Sequence, residues 1–222
     1  LSLQMAALRG ELVTARQREM ADRIERCVGA LSGLFDGLLD LSRLDAGVVQ
    51  PQWQSVALPA LLATLVEQHQ PEAHRKGLNL SLRLPRSPAL PCARSDPRLL
   101  ERLLRNLLVN ALKYTERGGV LVALRRRADG WRLEVRDSGH GIAAELQPRV
   151  FDEFFQVGNS ARQRDEGLGL GLAIVVRLAR VLGHEITLRS APERGSCCAL
   201  HVDAVAAPDA APAGPTPAHG PL

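Results

Sequence analysis

The stretch GLGLGLAIVVRLARVLG, residues 167–183, carries two periodicities that indicate different structures. Its glycines alternate with leucines at period two, as in a strand, and the next residues form an apolar run interrupted by Arg177 and Arg180. Glycines that precede a helix allow free backbone N–H groups and the positive end of the helix dipole to approach an anion. The stretch therefore predicts a phosphate-facing loop followed by a buried helix, with both arginines facing solvent.

The composition is typical of a globular protein with one domain or two small ones: 222 residues, 45% hydrophobic and 23% charged. The net charge of +4 is spread along the chain, which argues against a nucleic-acid partner. The four cysteines lack C-x-x-C spacing, as expected for reduced thiols. Since the chain shows no membrane span or signal peptide, we expect a cytoplasmic location, with membrane attachment only through segments upstream of Leu1.

Heptad spacing in the first fifty residues predicts a helical hairpin. We expect residues 1–50 to contain a short first helix, with apolar residues from Leu1 to Leu12, and a long second helix ending near Asp45. The seam is wide, which favours dimerisation into a four-helix bundle over packing on the rest of the chain. The apolar positions of the second helix follow steps of four and three: Met20, Ile24, Cys27, Leu31, Leu34, Leu38 and Leu41.

Residues 51–203 mix strand and helix patterns and predict a second domain. The order is strand, helix, strands, helix, hairpin, loop, helix and strands, with a short helix expected around Phe151 inside the loop. Hairpins exclude an all-parallel sheet, so the fold class is α+β: a helical hairpin followed by an α/β sandwich, with one mixed sheet covered by helices on one face. Residues 204–222 are rich in Ala and Pro and are predicted to be disordered.

Two clusters of polar residues stand out within this second domain. Asn106, Asn110 and Lys113 share one side of a helix, with Tyr114 beside them, and an amide oxygen there can bind Mg²⁺ without adding negative charge near phosphates. The turn DSGHGI, residues 137–142, places a carboxylate beside glycines that allow a flat ligand to approach the backbone. Each cluster alone is also compatible with an ordinary amphipathic helix or loop.

Taken together, four motifs resemble sensor histidine kinases. NLLVNALKYTERGG (106–119), DSGHGI (137–142), FDEFFQ (151–156) and EGLGLGLAIV (166–175) are similar to the N, G1, F and G2 boxes of the Bergerat ATP-binding fold, in the same order. LLDLSRLDAGVVQP (38–51) resembles the end of the dimerisation and phosphotransfer hairpin. The resemblance covers roughly residues 1–203 and implies that ATP and Mg²⁺ are the cofactors.

The resemblance also implies roles for individual residues. Asn110 would coordinate Mg²⁺, Asn106 would assist at the metal and phosphates, and Lys113 would contact phosphate; these three form the expected catalytic set. Residues 156–168 would form a mobile lid from which Arg162 or Arg164 reaches phosphate. The expected nucleotide-binding set is Tyr114, Asp137, Gly139, Gly141, Ile142, Phe155, Arg164, Gly167, Leu168, Gly169, Leu170, Gly171 and Ser196.

The phosphoacceptor expected from this family is a histidine on the first hairpin helix. The chain has six histidines, none of them within residues 1–50: His69, His74, His140, His184, His201 and His219. We therefore expect an acceptor upstream of Leu1, in a homodimeric kinase that relays phosphate to an aspartate of a response-regulator receiver domain. Two alternatives remain: a nucleotide-binding scaffold without kinase activity, and an ATPase of the same fold, although Asn106 stands where such ATPases carry an acidic base.

Overall fold

The structure is a computed structural model that describes residues 15–86, 91–157 and 169–205, apart from several side chains of the first helix. The expected first hairpin helix, most of the lid with Arg162, Arg164, Gly167 and Leu168, and the Ala/Pro tail lie outside these residues. In chain order the described elements are α1 (Ala15–Asp45), β1 (Gln54–Ala57), α2 (Leu58–Arg75), β2 (Asn79–Arg83), β3 (Cys92–Ser95), α3 (Pro97–Lys113), β4 (Gly119–Arg126), β5 (Gly130–Asp137), α4 (Gly171–Val181), β6 (Glu185–Ser190) and β7 (Ser196–Val205).

The strands form one mixed sheet, as predicted. Its order is β1-β3-β7-β5-β4-β2, and β6 pairs with the first half of β7. β2 and β4 run parallel, whereas the other described pairs are antiparallel. β7 continues to Val205, two residues beyond the boundary that composition indicated, because β3 supplies a partner for Ala204 and Val205.

Helices α2, α3 and α4 cover one face of the sheet, and leucines supply most of this core. α3 begins where the sequence predicts: the Asp96 carboxylate accepts hydrogen bonds from the N–H groups of Arg98 and Leu99, at 2.9 and 3.1 Å, and Pro97 occupies the first turn. The second carboxylate oxygen of Asp96 accepts from the backbone N–H of Gln52 at 2.7 Å. The linker that follows α1 is thereby attached to the start of α3.

α1 ends at Asp45, as predicted, and its last turns pack on α4. Leu41 and Leu44 are buried there. Gly37 permits this close approach, since a Cβ on it would lie 2.8 Å from the Leu170 side chain. No helix among the described residues is long and apolar enough to cross a membrane.

The prediction that Arg177 and Arg180 both face solvent is wrong for Arg177. Its guanidinium donates to Asp45 at 2.7 Å and to Glu153, and its side chain is 21% exposed. Arg180 is exposed, as expected. Arg177 differs because α1 packs against the same side of α4, a contact between distant segments that periodicity does not report.

The short helix expected around Phe151 is replaced by a series of turns. The N–H groups of Leu146, Arg149 and Asp152 each bond to the carbonyl three residues earlier. Pro148 lacks a donor, and Phe154 adopts a positive φ of 61°, which a continuing helix does not tolerate. These two residues account for the irregular path.

Candidate functional site

A cavity of about 220 Å³ opens between α3, β5 and the start of α4. Seven residues of the predicted nucleotide-binding and catalytic sets line it, whereas Asn106, Lys113, Gly139, Gly169, Leu170 and Gly171 do not. The structure thus brings together residues that lie up to 86 positions apart in the sequence. The predicted residues in the lining are Asn110, Tyr114, Asp137, Gly141, Ile142, Phe155 and Ser196.

Asp137, the last residue of β5, is the one carboxylate that lines this cavity within the described chain. Its Oδ1 accepts hydrogen bonds from the backbone N–H groups of Gly139, at 2.9 Å, and Ser196, at 3.1 Å. Burial raises the pKa of this carboxyl, while the two backbone hydrogen bonds and the nearby His140 act in the opposite direction. With Oδ1 fixed in this way, Oδ2 remains available to accept a hydrogen bond from a ligand.

A second set of hydrogen bonds positions the turn that follows Asp137. The Ser190 hydroxyl lies 2.9 Å from that of Ser196 and accepts from the N–H of Ile142 at 2.7 Å. Gly141 has a φ of +68°, and a Cβ there would lie 1.8 Å from the Ala191 carbonyl oxygen. No side chain fits at Gly141, so the glycine is required for this turn to approach the sheet.

Sequence reasoning missed the apolar floor of the cavity. Val135, Cys198 and Leu188 lie side by side on β5, β7 and β6 and all line the cavity. Burial raises the pKa of the Cys198 thiol to about 12, so it remains protonated and acts as a small apolar surface. Strand alternation could have indicated this position, since Cys198 shares a face with the buried Leu200.

Asn110 lies where the cavity meets the first turn of α4. A Cβ on Gly171 would lie 3.1 and 3.2 Å from its two amide atoms, so the amide is directly against the helix start. That start has no side-chain cap among the described residues. Asn106 is one turn earlier on α3, and its Nδ2 donates to the Arg102 carbonyl at 2.9 Å.

The residues present are compatible with Mg²⁺ at Asn110. Described residues contain no cluster of three acidic, histidine or cysteine side chains that would hold a metal unaided. Mg²⁺ commonly keeps several waters and takes oxygens from substrate phosphates, so it needs few ligands from the protein. The Asn110 amide beside an uncapped helix start meets that requirement.

Lys113 and Tyr114 interact with each other at the rim of the cavity. The Lys113 ammonium donates to the Tyr114 hydroxyl at 2.8 Å and lies 4.4 Å from the centre of its ring. His140, which motif reasoning passed over, lines the same rim and lies 3.4 Å from the Glu116 carboxylate. Both aromatic rings are therefore at the cavity mouth.

The two segments that flank residues 158–168 meet beside the cavity. The Gly169 Cα faces the backbone of Phe154 and Phe155, since a Cβ on it would lie about 3 Å from both. The Arg149 guanidinium lies 4.5 Å from the centre of the Phe155 ring. Leu170 is buried and packs on Gly37, so this loop also contacts α1.

Residues 95–206 match the family described as histidine kinase-, DNA gyrase B- and HSP90-like ATPase. The chain belongs to this family. Every predicted site residue lies within the matched range. The matched range contains α3, β5 and α4, the three elements that surround the cavity.

Among members of the family, the chain is homologous to sensor histidine kinases. It is 32% identical to the signal transduction histidine-protein kinase BarA of Escherichia coli (strain K12), over 86% of this chain and 21% of BarA. It is 30% identical to the sensor histidine kinase RcsC of the same strain, over 84% of this chain and 20% of RcsC. The chain thus spans about a fifth of the length of these relatives.

Solved structures share the fold of this chain. Full-length ShkA in complex with AMPPNP superposes with a TM-score of 0.75 at 28% identity, covering 92% of this chain and 46% of ShkA. The Acinetobacter baumannii histidine kinase AdeS superposes with a TM-score of 0.68 at 20% identity, over 91% of this chain and 93% of AdeS.

Proposed function

We propose that this chain is the ATP-binding catalytic part of a sensor histidine kinase and transfers the γ-phosphoryl group of Mg²⁺-ATP to a histidine. One observation carries the proposal: a carboxylate and an amide line the same cavity, which opens at the start of a helix. One oxygen of the carboxylate is held by backbone hydrogen bonds, and the other is available to a ligand. Asp137 provides the carboxylate and Asn110 the amide. ATP has matching groups at its two ends: the exocyclic amine of adenine can donate to the carboxylate, and the triphosphate can bind beside the amide and the helix start.

Asp137 and the floor of the cavity would bind the base. The free Oδ2 of Asp137 accepts a hydrogen bond from the exocyclic amine of adenine, and the apolar floor formed by Val135, Cys198 and Leu188 contacts the ring. Ionised Asp137 is an acceptor only, so it disfavours a base with a carbonyl at the same position. Tyr114 and His140 at the mouth provide further ring surface.

The start of α4 and the adjacent side chains would bind the phosphates. Backbone N–H groups at Gly171 and the next residues point toward the cavity end of the helix and favour anions. Asn110 holds Mg²⁺, which, when bound, supplies positive charge to the phosphate oxygens. Lys113 lies next to Tyr114 at the rim of the cavity. Its ammonium would reach a phosphate by exchanging its hydrogen bond to the Tyr114 hydroxyl for one to the phosphate. Arg164, Gly167, Leu168 and Gly169 belong to the loop that we propose closes over the phosphates.

The amide of Asn106 on α3 favours transfer to an acceptor over hydrolysis. Asn106 occupies the position one turn before Asn110, and its amide is bonded to the Arg102 carbonyl. An amide does not remove a proton from water, whereas phosphoryl transfer depends mainly on positioning and charge neutralisation. This observation favours a kinase over an ATPase of the same fold.

The acceptor is not one of the described histidines whose rings are engaged in the fold. The His69 ring is buried and bonded to the Leu65 carbonyl at 2.8 Å, and the His184 ring bonds to the Ser95 hydroxyl at 2.9 Å. Burial lowers the pKa of His184, which keeps it neutral. We propose a histidine of the parent kinase outside this chain as acceptor, and the aspartate of a receiver domain as the next one, in the cytoplasm where ATP is available.

We also propose a homodimer formed through α1. Several large apolar side chains of this helix are exposed, which is unfavourable unless another helix covers them. Four of them, Met20, Ile24, Leu31 and Leu38, follow the heptad spacing of a helical bundle, and Phe35 and Leu39 widen this stripe. The exposed set on α1 is Met20, Ile24, Leu31, Phe35, Leu38 and Leu39.

Transfer of label from ATP tests the kinase proposal. This chain is mixed with a longer chain of the parent kinase that carries the acceptor helix and Asn110→Ala, so that only the short chain can bind Mg²⁺-ATP productively. We expect acid-labile label on the long chain and none on the short one. Label on any of the six histidines of the short chain would refute the assignment of the acceptor. Release of inorganic phosphate without labelled protein would favour the ATPase.

A further inference from the structure

No helix of the described residues packs on the second face of the sheet, and this face carries a concentration of arginines. Along β5 the buried Trp131, Leu133 and Val135 face the helices, so the alternate residues Arg132, Glu134 and Arg136 point to the uncovered side. The registers of the neighbouring strands place further arginines on this side. We define the arginine face by its strand residues Arg83, Arg125, Arg132, Arg136 and Arg189, with Arg127 and Arg194 in the adjoining loops.

Two of these arginines flank a small residue at one end of the face. Arg136 on β5 and Arg189 on β6 are both paired with Cys197 on the intervening strand β7. Since neighbouring strands are about 4.8 Å apart, the two Cα atoms are separated by about 10 Å. Arg194 lies in the turn between β6 and β7, and together these side chains border a hollow of about 540 Å³.

Positive charge on this face exceeds the negative charge available to neutralise it. Glu134 is buried and is already shared, with Arg125 at 3.0 Å and Arg132 at 2.9 Å. Arg136 and Arg189 are exposed and form no ion pair with any acidic residue of the described chain. Arg127 and Arg194 are also exposed and form no ion pair with an acidic residue of the described chain. Asp129 and Glu185 lie on the same face beside Arg127 and Arg132, so the positive charge without nearby acidic residues is concentrated at Arg136, Arg189 and Arg194.

The shape of the face and the residues around the arginines limit what can bind. The row between the arginines contains the small residues Ala123, Ala199 and Thr187, so the arginines form the raised edges of a shallow surface. Among the residues that the structure describes, no Phe, Trp or Tyr lines the hollow beside Arg136, Arg189 and Arg194, so a nucleobase has no ring to stack on there. A membrane would require apolar side chains for insertion, and the apolar residues that line the hollow beside Arg136 and Arg189 are no larger than Ala191 and Cys197.

From this combination we infer that the arginine face is a docking surface for an acidic protein partner. Guanidinium groups bind carboxylates through paired hydrogen bonds, and arginine is enriched at protein interfaces. The arginines extend from β2 to β6 across five neighbouring strands, about 19 Å, which matches the width of a protein surface rather than one small anion. This inference does not depend on the proposed kinase activity.

The face lies directly behind the nucleotide cavity. Cys197 points to the arginine face and the next residue, Cys198, to the cavity floor. Arg136 immediately precedes Asp137, whose carboxylate is fixed by the Ser196 N–H. A partner on the arginine face therefore contacts the strands that hold the adenine-binding carboxylate.

A titration followed by NMR tests the docking surface. The probe is a synthetic oligo-glutamate peptide, and the comparison ligands are pyrophosphate and vesicles containing phosphatidylserine. We expect saturable shifts at the amides of Arg136, Arg189 and Cys197, and binding about tenfold weaker in Arg136→Glu/Arg189→Glu, since two exposed ion pairs are reversed. Arg180→Glu on α4 is the matched control and should leave binding unchanged.

Several results would overturn the inference. Peptide shifts that occur elsewhere, or that persist in the double variant, would show nonspecific attraction to a basic protein. Stronger binding of pyrophosphate or of vesicles than of the peptide would assign the face to phosphates or to a membrane instead. Arg136→Gln/Arg189→Gln keeps the length of both side chains, so it provides the same comparison if charge reversal prevents folding.

Discussion

Asp137 combines two opposing requirements in one side chain. Its carboxylate is buried, which destabilises the charged form, yet in the proposed site the charged form would accept the hydrogen bond from adenine. Because the pKa is raised in the folded protein, the native state binds more protons than the unfolded state between the ordinary and the raised pKa. Ionisation therefore reduces stability as the pH rises through that window.

Replacing Asp137 by Asn separates these two effects. The amide keeps an oxygen for the N–H groups of Gly139 and Ser196 but places a donor or a poorer acceptor toward adenine. We expect the affinity for ATP to fall by about 1–3 kcal/mol, the usual effect of an unpaired buried polar group, and the free energy of unfolding at neutral pH not to fall. Calorimetry and thermal unfolding measure both, with the exposed Asp152→Asn as control.

The same carboxyl predicts how nucleotide binding depends on pH. Affinity for ATP should decrease as the pH falls through the raised pKa of Asp137, because protonation removes the acceptor. In Asp137→Asn this decrease should be absent or smaller. An identical pH profile in both proteins would show that another group, such as the phosphates of ATP, accounts for the dependence.

At the scale of elements, α4 connects the nucleotide cavity to the hairpin helix. Its first turn lies against Asn110, and Arg177, two turns later, bonds to Asp45 at the end of α1 and to Glu153 before Phe155. One side chain thus joins three segments that are far apart in sequence. A displacement of α1 would therefore act through Arg177 on Glu153, two residues before Phe155, which lines the cavity.

Removal of Arg177 should loosen these segments. We expect Arg177→Ala to lower the free energy of unfolding by about 1 kcal/mol, given the modest contribution of partly exposed ion pairs, and to increase amide exchange at residues 43–48 and 150–156. Arg180→Ala, on the same helix, should change neither quantity. Charge reversal of both partners, Arg177→Glu with Asp45→Arg, should restore part of the protection at residues 43–48.

Local sequence patterns predicted most of these helices and strands, because each one is specified by residues within or next to it. Asp96 and Pro97 specify the start of α3, and the alternation of apolar and polar residues specifies β2. Contacts between distant segments were not predictable in the same way: Arg177 resembles any solvent-facing arginine until α1 packs beside it. The sequence predicted no role for Cys198 for the same reason, since its position in the cavity floor depends on the pairing of three strands. Of the polar residues in the four boxes, Asn110, Tyr114 and Asp137 meet at the cavity, whereas Asn106 and Lys113 do not line it, and the bond from Lys113 to Tyr114 was not predicted.

At the scale of the whole molecule, the exposed seam of α1 predicts self-association. Sedimentation should show a monomer–dimer equilibrium that depends on concentration and is lost in Leu31→Asp, because a charge in the seam opposes helix packing. Val48→Asp replaces an equally apolar residue, 70% exposed and beyond the helix, and should leave the equilibrium intact. A monomer at all concentrations would show that α1 does not dimerise without further segments.

The central claim is that the cavity binds ATP and Mg²⁺ together through residues on opposite sides. Titration calorimetry of ATP into the wild-type chain and Asn110→Ala, each with and without Mg²⁺, tests it most directly. We predict that Mg²⁺ strengthens ATP binding to the wild-type chain and that Asn110→Ala removes about 1–3 kcal/mol of this gain, while binding without Mg²⁺ changes little. An equal benefit of Mg²⁺ in both proteins, or no binding of ATP to either, would contradict the account.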